Sequence, residues 1–218
     1  MNVTSSGIVN GVIQPQYGGH GTQFNENGIP TYSLPFTVED APQGTVSVAI
    51  VLEDKDAYPV TGGFAWIHWL AANITRFEIK ENESQTADDF VQGRNSWTSI
   101  QGGEQSTELS SYYGGMTPPD KPHIYELHVY ALDKMLDLER GFLLNELYRE
   151  MDGHILGQFT LKGMYENWLS ESRRAHNKNS CGSIPVLDDR HNKKIRHGIL
   201  CRHCRYAMYP EDCGGQSS

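Results

Sequence analysis

The chain has 218 residues, of which 38% are hydrophobic and 21% are charged, a composition typical of a globular protein rather than a disordered one. Its formal net charge is −9, so nucleic acids and anionic membrane surfaces are unfavourable long-range partners. The sequence has no run of 18 apolar residues, so we predict no stable membrane insertion.

Alternation of apolar and polar residues predicts β-strands over residues 46–53, 66–74, 123–132 and 158–165. Gly- and Pro-containing turns separate these segments. In each of the first three strands one set of residues is expected to share a face: Val46, Val48, Ile50 and Leu52; Trp66, His68, Leu70 and Ala72; and His123, Tyr125, Leu127, Val129 and Ala131.

One helix is predicted near residues 141–152, because Leu143, Leu147 and Met151 recur at four-residue spacing and Gly153 follows as a C-terminal cap. Strands otherwise dominate. We therefore predict a mainly β fold, a two-sheet antiparallel β-sandwich with a few short peripheral helices.

The composition changes near residue 166. We predict one domain over residues 1–165, followed by a basic C-terminal extension over residues 166–218 that contains all four cysteines, Cys181, Cys201, Cys204 and Cys213. Four thiolates suit zinc, but only one pair is closely spaced, so free thiols or a tail folded back on the acidic body remain alternatives. Because residues 1–165 contain no cysteine and the N-terminus lacks a signal pattern, we expect a cytoplasmic location.

Three segments carry polar groups that a plain core would not contain. Asp54 and Asp56 follow the first strand, where loops often carry binding groups. His68 lies within the second strand, and a Gly- and Pro-rich loop leads into His123. Taken singly, each is more typical of a turn, a core histidine or a rigid loop.

In this order the segments resemble the phosphatidylethanolamine-binding protein family, particularly its bacterial Raf-kinase-inhibitor-like branch. The resemblance covers roughly residues 25–165. Lys55, Met116 and Ile124 depart from the residues usual in the family and affect the rim of the expected site. The matching residues are Asp54 and Asp56; His68 and Trp69; Gly93, Asn95, Ser96 and Trp97; and Pro118, Pro119, His123 and Tyr125.

The resemblance implies a surface pocket for a small anionic or phosphorylated ligand, with phospholipid headgroups as one class and inhibition of a kinase or a peptidase as one role. Each imidazole could donate an N–H to the anion, with Asp54 orienting a ring. The expected ligand-binding residues are Asp54, His68, Thr117, Pro118, His123 and Tyr125.

We predict a non-enzymatic protein without a cofactor or metal at this site. The alternative is a small hydrolase that uses the His/His/Asp cluster. Against a hydrolase, the sequence contains no Gly-x-Ser-x-Gly elbow, and residues 1–165 contain no cysteine nucleophile.

Overall fold

The computed structural model describes residues 1–166, and the cysteine-containing segment predicted to form an extension lies outside the described residues. The described part is mainly β, as predicted. Its strands are β1 (Asn2–Thr4), β2 (Ile8–Val9), β3 (Val12–Ile13), β4 (Phe36–Glu39), β5 (Ser47–Asp54), β6 (Trp66–Ile74), β7 (Glu78–Ile79), β8 (Val91–Gly93), β9 (His123–Leu132) and β10 (Ile155–Tyr165). Its α-helices are α1 (Tyr58–Thr61), α2 (Thr107–Ser110) and α3 (Leu144–Met151), and three 3-10 turns cover Pro15–Tyr17, Glu83–Gln85 and Ser96–Thr98.

The strands form two sheets. The larger has the order β2-β3-β10-β9-β5-β6-β8, and the smaller has the order β1-β4-β7. Pairing is antiparallel except between β10 and β3, where Met164 pairs with Val12 in parallel. The four long strands at the centre of the large sheet, β10-β9-β5-β6, are the four that the sequence predicted.

The main core lies between the sheets. Phe36 and Val38 of the small sheet belong to the same buried cluster as Ile50, Leu52 and Val129 of the large sheet. A second cluster covers the opposite face of the large sheet, where Leu147 and Met151 of α3 pack with residues of β5 and β6. Strand β5 is therefore buried on both faces, which explains its nearly continuous apolar sequence.

Helix α3 matches the central part of the helix predicted near residues 141–152. Leu147 and Met151 are buried as the four-residue spacing indicates, whereas Leu143 stands before the helix and is 38% exposed. Gly153 follows the helix with a φ of 76°, the left-handed conformation that favours glycine at this position. No helix among the 166 described residues is long and apolar enough to cross a membrane.

Two details of the predicted strand faces are wrong. Val46 precedes β5 and is 48% exposed, so it does not continue the buried face of that strand. In β6, Leu70 and Ala72 do not share a face with His68, because both belong to the cluster beneath α3.

A bulge in β6 causes the second difference. Leu52 of β5 pairs with Trp69, but the next residue, Glu53, pairs with Ile67. His68 is therefore an extra residue in the ladder, and the alternation restarts after it. As a result Trp69 enters the core between the sheets, while His68 still contacts residues on that inner side. The bulge thus places a histidine at the end of the core where β9 begins.

Candidate functional site

The site begins with a buried pair formed by Asp54 at the end of β5 and His123 at the start of β9. These strands are antiparallel neighbours, and Asp54 pairs in register with Tyr125, two residues beyond His123. His123 Nδ1 lies 2.7 Å from Asp54 Oδ2, and the Ala57 amide donates to Asp54 Oδ1 at 3.2 Å. His123 is 1% exposed and Asp54 is 3% exposed, so this pair is held away from water.

Burial raises the pKa of Asp54 above its usual value, because a carboxylate loses hydration when it leaves water. The hydrogen bond with His123 acts in the opposite direction and favours the ionised carboxylate. Asp54 thus depends on His123 to carry its charge in this position. The orienting role expected of Asp54 stays a prediction.

The second ring nitrogen of His123 also contacts a carboxylate. Asp120 Oδ1 lies 2.8 Å from His123 Nε2, and the Asp120 side chain is 46% exposed. Asp120 therefore lies on the solvent side of a histidine that is itself covered. Two carboxylates bonded to one imidazole suit an imidazolium, since both ring nitrogens can then donate.

His68 is oriented by a backbone carbonyl instead. Its Nδ1–H donates to the Gly114 oxygen at 2.7 Å, because a carbonyl can only accept. Burial lowers the pKa of His68 to about 4. The ring is then neutral near pH 7, and its Nε2 is a hydrogen-bond acceptor. A neutral His68 with this tautomer offers an acceptor rather than the N–H donor expected from the sequence, and its role toward an anion stays a prediction.

Aromatic rings connect the two histidines. The Tyr125 ring lies 5.1 Å from the His68 ring and 6.4 Å from the His123 ring. Trp97 packs edge-on against His68 at 5.4 Å and against Trp66 at 5.2 Å. Burial and the neighbouring Asp54 carboxylate raise the pKa of Tyr125 well above 10, so its hydroxyl stays protonated.

The structure brings four of the six expected ligand-binding residues together: Asp54, His68, His123 and Tyr125. The loop before β9 bonds to this group through the Gly114 carbonyl and the Asp120 carboxylate, and Thr117 and Pro118 lie between them as half-buried and buried residues. A side chain at Gly114 would overlap the Trp97 ring, so glycine is needed there. The expected roles of Thr117 and Pro118 stay predictions.

Sequence reasoning missed Gly114 and Asp120 as parts of the site. Asp120 precedes His123 by three residues, and that spacing was a usable signal because a short turn can return the carboxylate to the ring. Gly114 acts through its backbone carbonyl, and because every residue has one, the sequence cannot indicate which carbonyl is used. Its glycine identity reflects instead the close approach of Trp97.

A second polar cluster lies on β5 and β9, formed by Glu53, Glu126 and His128. Their possible ligand atoms lie within 4.8 Å of one another, a spacing that would suit a metal ion. However, Lys55 Nζ lies 2.6 Å from Glu126 Oε2, and Lys162 Nζ lies 2.7 Å from Glu126 Oε1. The two ammonium groups already neutralise Glu126, so we interpret this cluster as an ion-pair network.

Comparisons with known proteins agree with this architecture. A family model described as phosphatidylethanolamine-binding protein matches residues 4–166. An uncharacterised protein of Bacillus subtilis, YxkA, is 43% identical over 143 residues, which are 64% of this chain and 84% of that protein.

Two crystal structures are also similar. A putative phosphatidylethanolamine-binding protein homologue from Chlamydia trachomatis, CT736, has a TM-score of 0.61 and 29% sequence identity, and the match covers 76% of this chain and 96% of that one. YbcL of E. coli, described as a member of the mammalian PEBP family, has a TM-score of 0.59 at 23% identity, with 76% and 97% of the two chains covered. YbcL is evidence for the fold alone.

Proposed function

The chain belongs to the phosphatidylethanolamine-binding protein family, and from that premise we propose that it is a non-enzymatic protein that binds a small anion at His123. The anion would be a phosphate or a phosphoryl headgroup. The main support is the contact between His123 Nε2 and a carboxylate oxygen of Asp120 at 2.8 Å. A position that accepts one anionic oxygen from the protein is chemically suited to accept one from a ligand.

The two histidines offer complementary groups to such a ligand. His123 offers an N–H donor, oriented by Asp54, and His68 offers the lone pair of Nε2 because its other nitrogen is bonded to Gly114. A phosphate that keeps one proton has both a charged oxygen to accept from His123 and a hydroxyl to donate to His68. A fully deprotonated phosphate would leave the His68 acceptor without a partner, and a phosphatidylethanolamine headgroup, whose phosphodiester has no hydroxyl, would need its ammonium group to donate there instead.

The surroundings of His123 argue against the alternative of a hydrolase. In a Ser-His-Asp arrangement the carboxylate bonds one ring nitrogen and the nucleophile bonds the other. Here Asp54 takes the first position, but a carboxylate of Asp120 takes the second, where a hydroxyl or thiol nucleophile would be required. His68 is held by Gly114 through Nδ1, and no hydrogen bond joins its Nε2 to a hydroxyl among the described residues.

Regulation of a kinase or a peptidase stays a prediction that rests on the resemblance of the sequence. The same holds for a cytoplasmic location.

The proposal is tested by following the side-chain nitrogen resonances of histidines in the intact protein while inorganic phosphate is added. Binding at His123 should shift the Nε2 resonance of this residue in a saturable manner. A parallel titration with chloride at matched ionic strength controls for salt. If phosphate shifts the His123 resonances no more than chloride does, the proposed anion site is wrong.

A second titration separates the two sources of a phosphoryl group. Vesicles of phosphatidylcholine with and without phosphatidylethanolamine are compared with free phosphate by sedimentation of the bound protein. A soluble phosphate ligand predicts a His123 shift with phosphate and no co-sedimentation with either vesicle. A headgroup ligand predicts that the protein co-sediments with the phosphatidylethanolamine vesicles. His123→Gln should reduce this co-sedimentation.

A further inference from the structure

We propose that Asp120 is an internal competitor for the anion site, so that a ligand binds His123 by displacing the Asp120 carboxylate. This inference rests on the proposed function and adds a residue that sets the affinity of the site. It follows from three features of the structure: the geometry around His123, the charge of the cluster and the exposure of the segment that carries Asp120.

The geometry leaves one edge of His123 for a ligand. Nδ1 is committed to Asp54, which is 3% exposed and is also bonded to the Ala57 amide. Nε2 faces Asp120, whose side chain is 46% exposed. A ligand that arrives from solvent therefore meets Asp120 first. Because His123 is 1% exposed, its donor becomes available only when that carboxylate moves.

The charges of the cluster also oppose a second anion. With His123 as an imidazolium, one positive charge is shared by two carboxylates, Asp54 and Asp120, and His68 adds none because it is neutral near pH 7. Asp56 lies close enough to raise the pKa of Asp54. An anion added to the group with Asp120 still in place would be repelled, whereas exchange of one carboxylate for one anion keeps the charge balance.

The segment that carries Asp120 is suited to such an exchange. Pro119, Asp120, Lys121 and Pro122 are all exposed, and the segment forms bends rather than a helix or strand. By contrast, His123 starts the long strand β9 and is fixed by pairing with Tyr165 of β10. The donor therefore lies on a paired strand, and the group that covers it lies on an exposed loop.

Asp120→Asn tests the inference, because the amide keeps the shape of the side chain but removes its charge. Calorimetric titration of the full chain with inorganic phosphate should show about tenfold tighter binding for this variant, the lower end of the effect expected for a charge-assisted hydrogen bond. Asp120→Ala, which removes the acceptor altogether, should bind at least as tightly. Asp88→Asn is the matched control, since it removes one exposed carboxylate elsewhere and should leave the affinity unchanged.

The ligand-free protein provides a second measurement. The Nε2 resonance of His123 should move in Asp120→Asn, while the His68 resonances stay in place. An unchanged His123 resonance would show that the contact is absent in solution and would overturn the inference.

The binding outcomes separate this inference from the proposed function. If the parent protein binds phosphate and Asp120→Asn binds no more tightly, the competitor role is wrong and the anion site stands. If phosphate binds only after Asp120 is replaced, Asp120 blocks the site completely, and the proposed binding of phosphate by the parent protein is wrong. If neither the parent nor the two Asp120 variants bind phosphate, the proposed function fails and the inference fails with it.

Discussion

Replacing His68 with glutamine removes a buried imidazole whose protonation the fold opposes. Burial lowers the pKa of His68 to about 4, against an ordinary value of 6.5. In the unfolded chain His68 is therefore protonated as the pH falls below about 6.5, whereas in the folded protein it is protonated only near pH 4. Stability falls as the pH is lowered through this window, because the unfolded state binds more protons there. Above about pH 6.5 and below about pH 4, His68 adds no further pH dependence.

The size of the effect follows from the shift. A difference of one pKa unit corresponds to about 1.36 kcal/mol. The lowering from 6.5 to about 4 therefore predicts that His68 makes the protein about 3 kcal/mol less stable at pH 4 than at pH 7. This residue is fully buried, so solvent screening does not reduce the figure appreciably.

Urea unfolding monitored by tryptophan fluorescence at several pH values between 4 and 7.5 measures the effect. The quantity of interest is the free energy of unfolding of the parent minus that of His68→Gln. Asp54 has a raised pKa and therefore the opposite effect: its contribution to the free energy of unfolding decreases as the pH rises above 3.8. Because Asp54 is present in both proteins, this contribution cancels in the difference. The difference should fall by about 3 kcal/mol from pH 7 to pH 4.

Leu70→Val is the matched control, because Leu70 is buried two residues along the same strand and does not titrate. Its substitution should cost on the order of 1 kcal/mol at every pH. A parent-minus-variant difference for His68→Gln that is as flat as that of Leu70→Val would refute the assignment of His68 as a neutral acceptor. The expectation from the sequence that His68 and His123 both donate an N–H to an anion would then hold.

Three further predictions follow from the same contacts. His123→Gln should destabilise the protein by about 3–5 kcal/mol at pH 7 in denaturant unfolding, since Asp54 is left buried without its partner. Adding Asp54→Asn should restore part of this loss. Additive losses in the double-mutant cycle would contradict the pairing of Asp54 with His123. Gly114→Ala should cost about 1–3 kcal/mol and change the near-UV circular dichroism of Trp97, because the new methyl group overlaps that ring; an unaltered spectrum and stability would count against the packing. Glu126 has a pKa lowered to about 2 by its lysine partners, so the stability it provides is present above pH 4.5 and is lost as the pH falls toward 2; acid unfolding of Glu126→Gln should show a smaller loss in that range, and a curve parallel to that of the parent would reject the ion pairs.

The strands and the order of the site residues were accessible from the sequence because they depend on local patterns. Alternation along residues 123–132 placed His123 and Tyr125 on the inner face, and both are buried there. The recurrence of Leu147 and Met151 indicated the buried face of α3. In each case the period of the backbone determines which side chains lie together, and the period is visible in the chain itself.

The short strands of the small sheet, β1, β4 and β7, were not predicted. They have two to four residues each, too few to show a period. Their pairing joins residues far apart in the chain, such as Asn2 with Glu39. A strand of this kind is defined by its partner more than by its own composition.

The sequence by itself, through the family that it resembles, indicated that Asp54, His68 and His123 belong to one candidate site, and only the tertiary structure decided which contacts each of them makes there. The bulge that turns His68 toward the core depends on its register with β5, and the pKa of this residue depends on burial by segments distant in the chain. The contact between Asp120 and His123 depends on how the loop meets the end of the sheet. Protonation and hydrogen-bond roles follow from the surroundings of a side chain, and those surroundings exist only once the chain has folded.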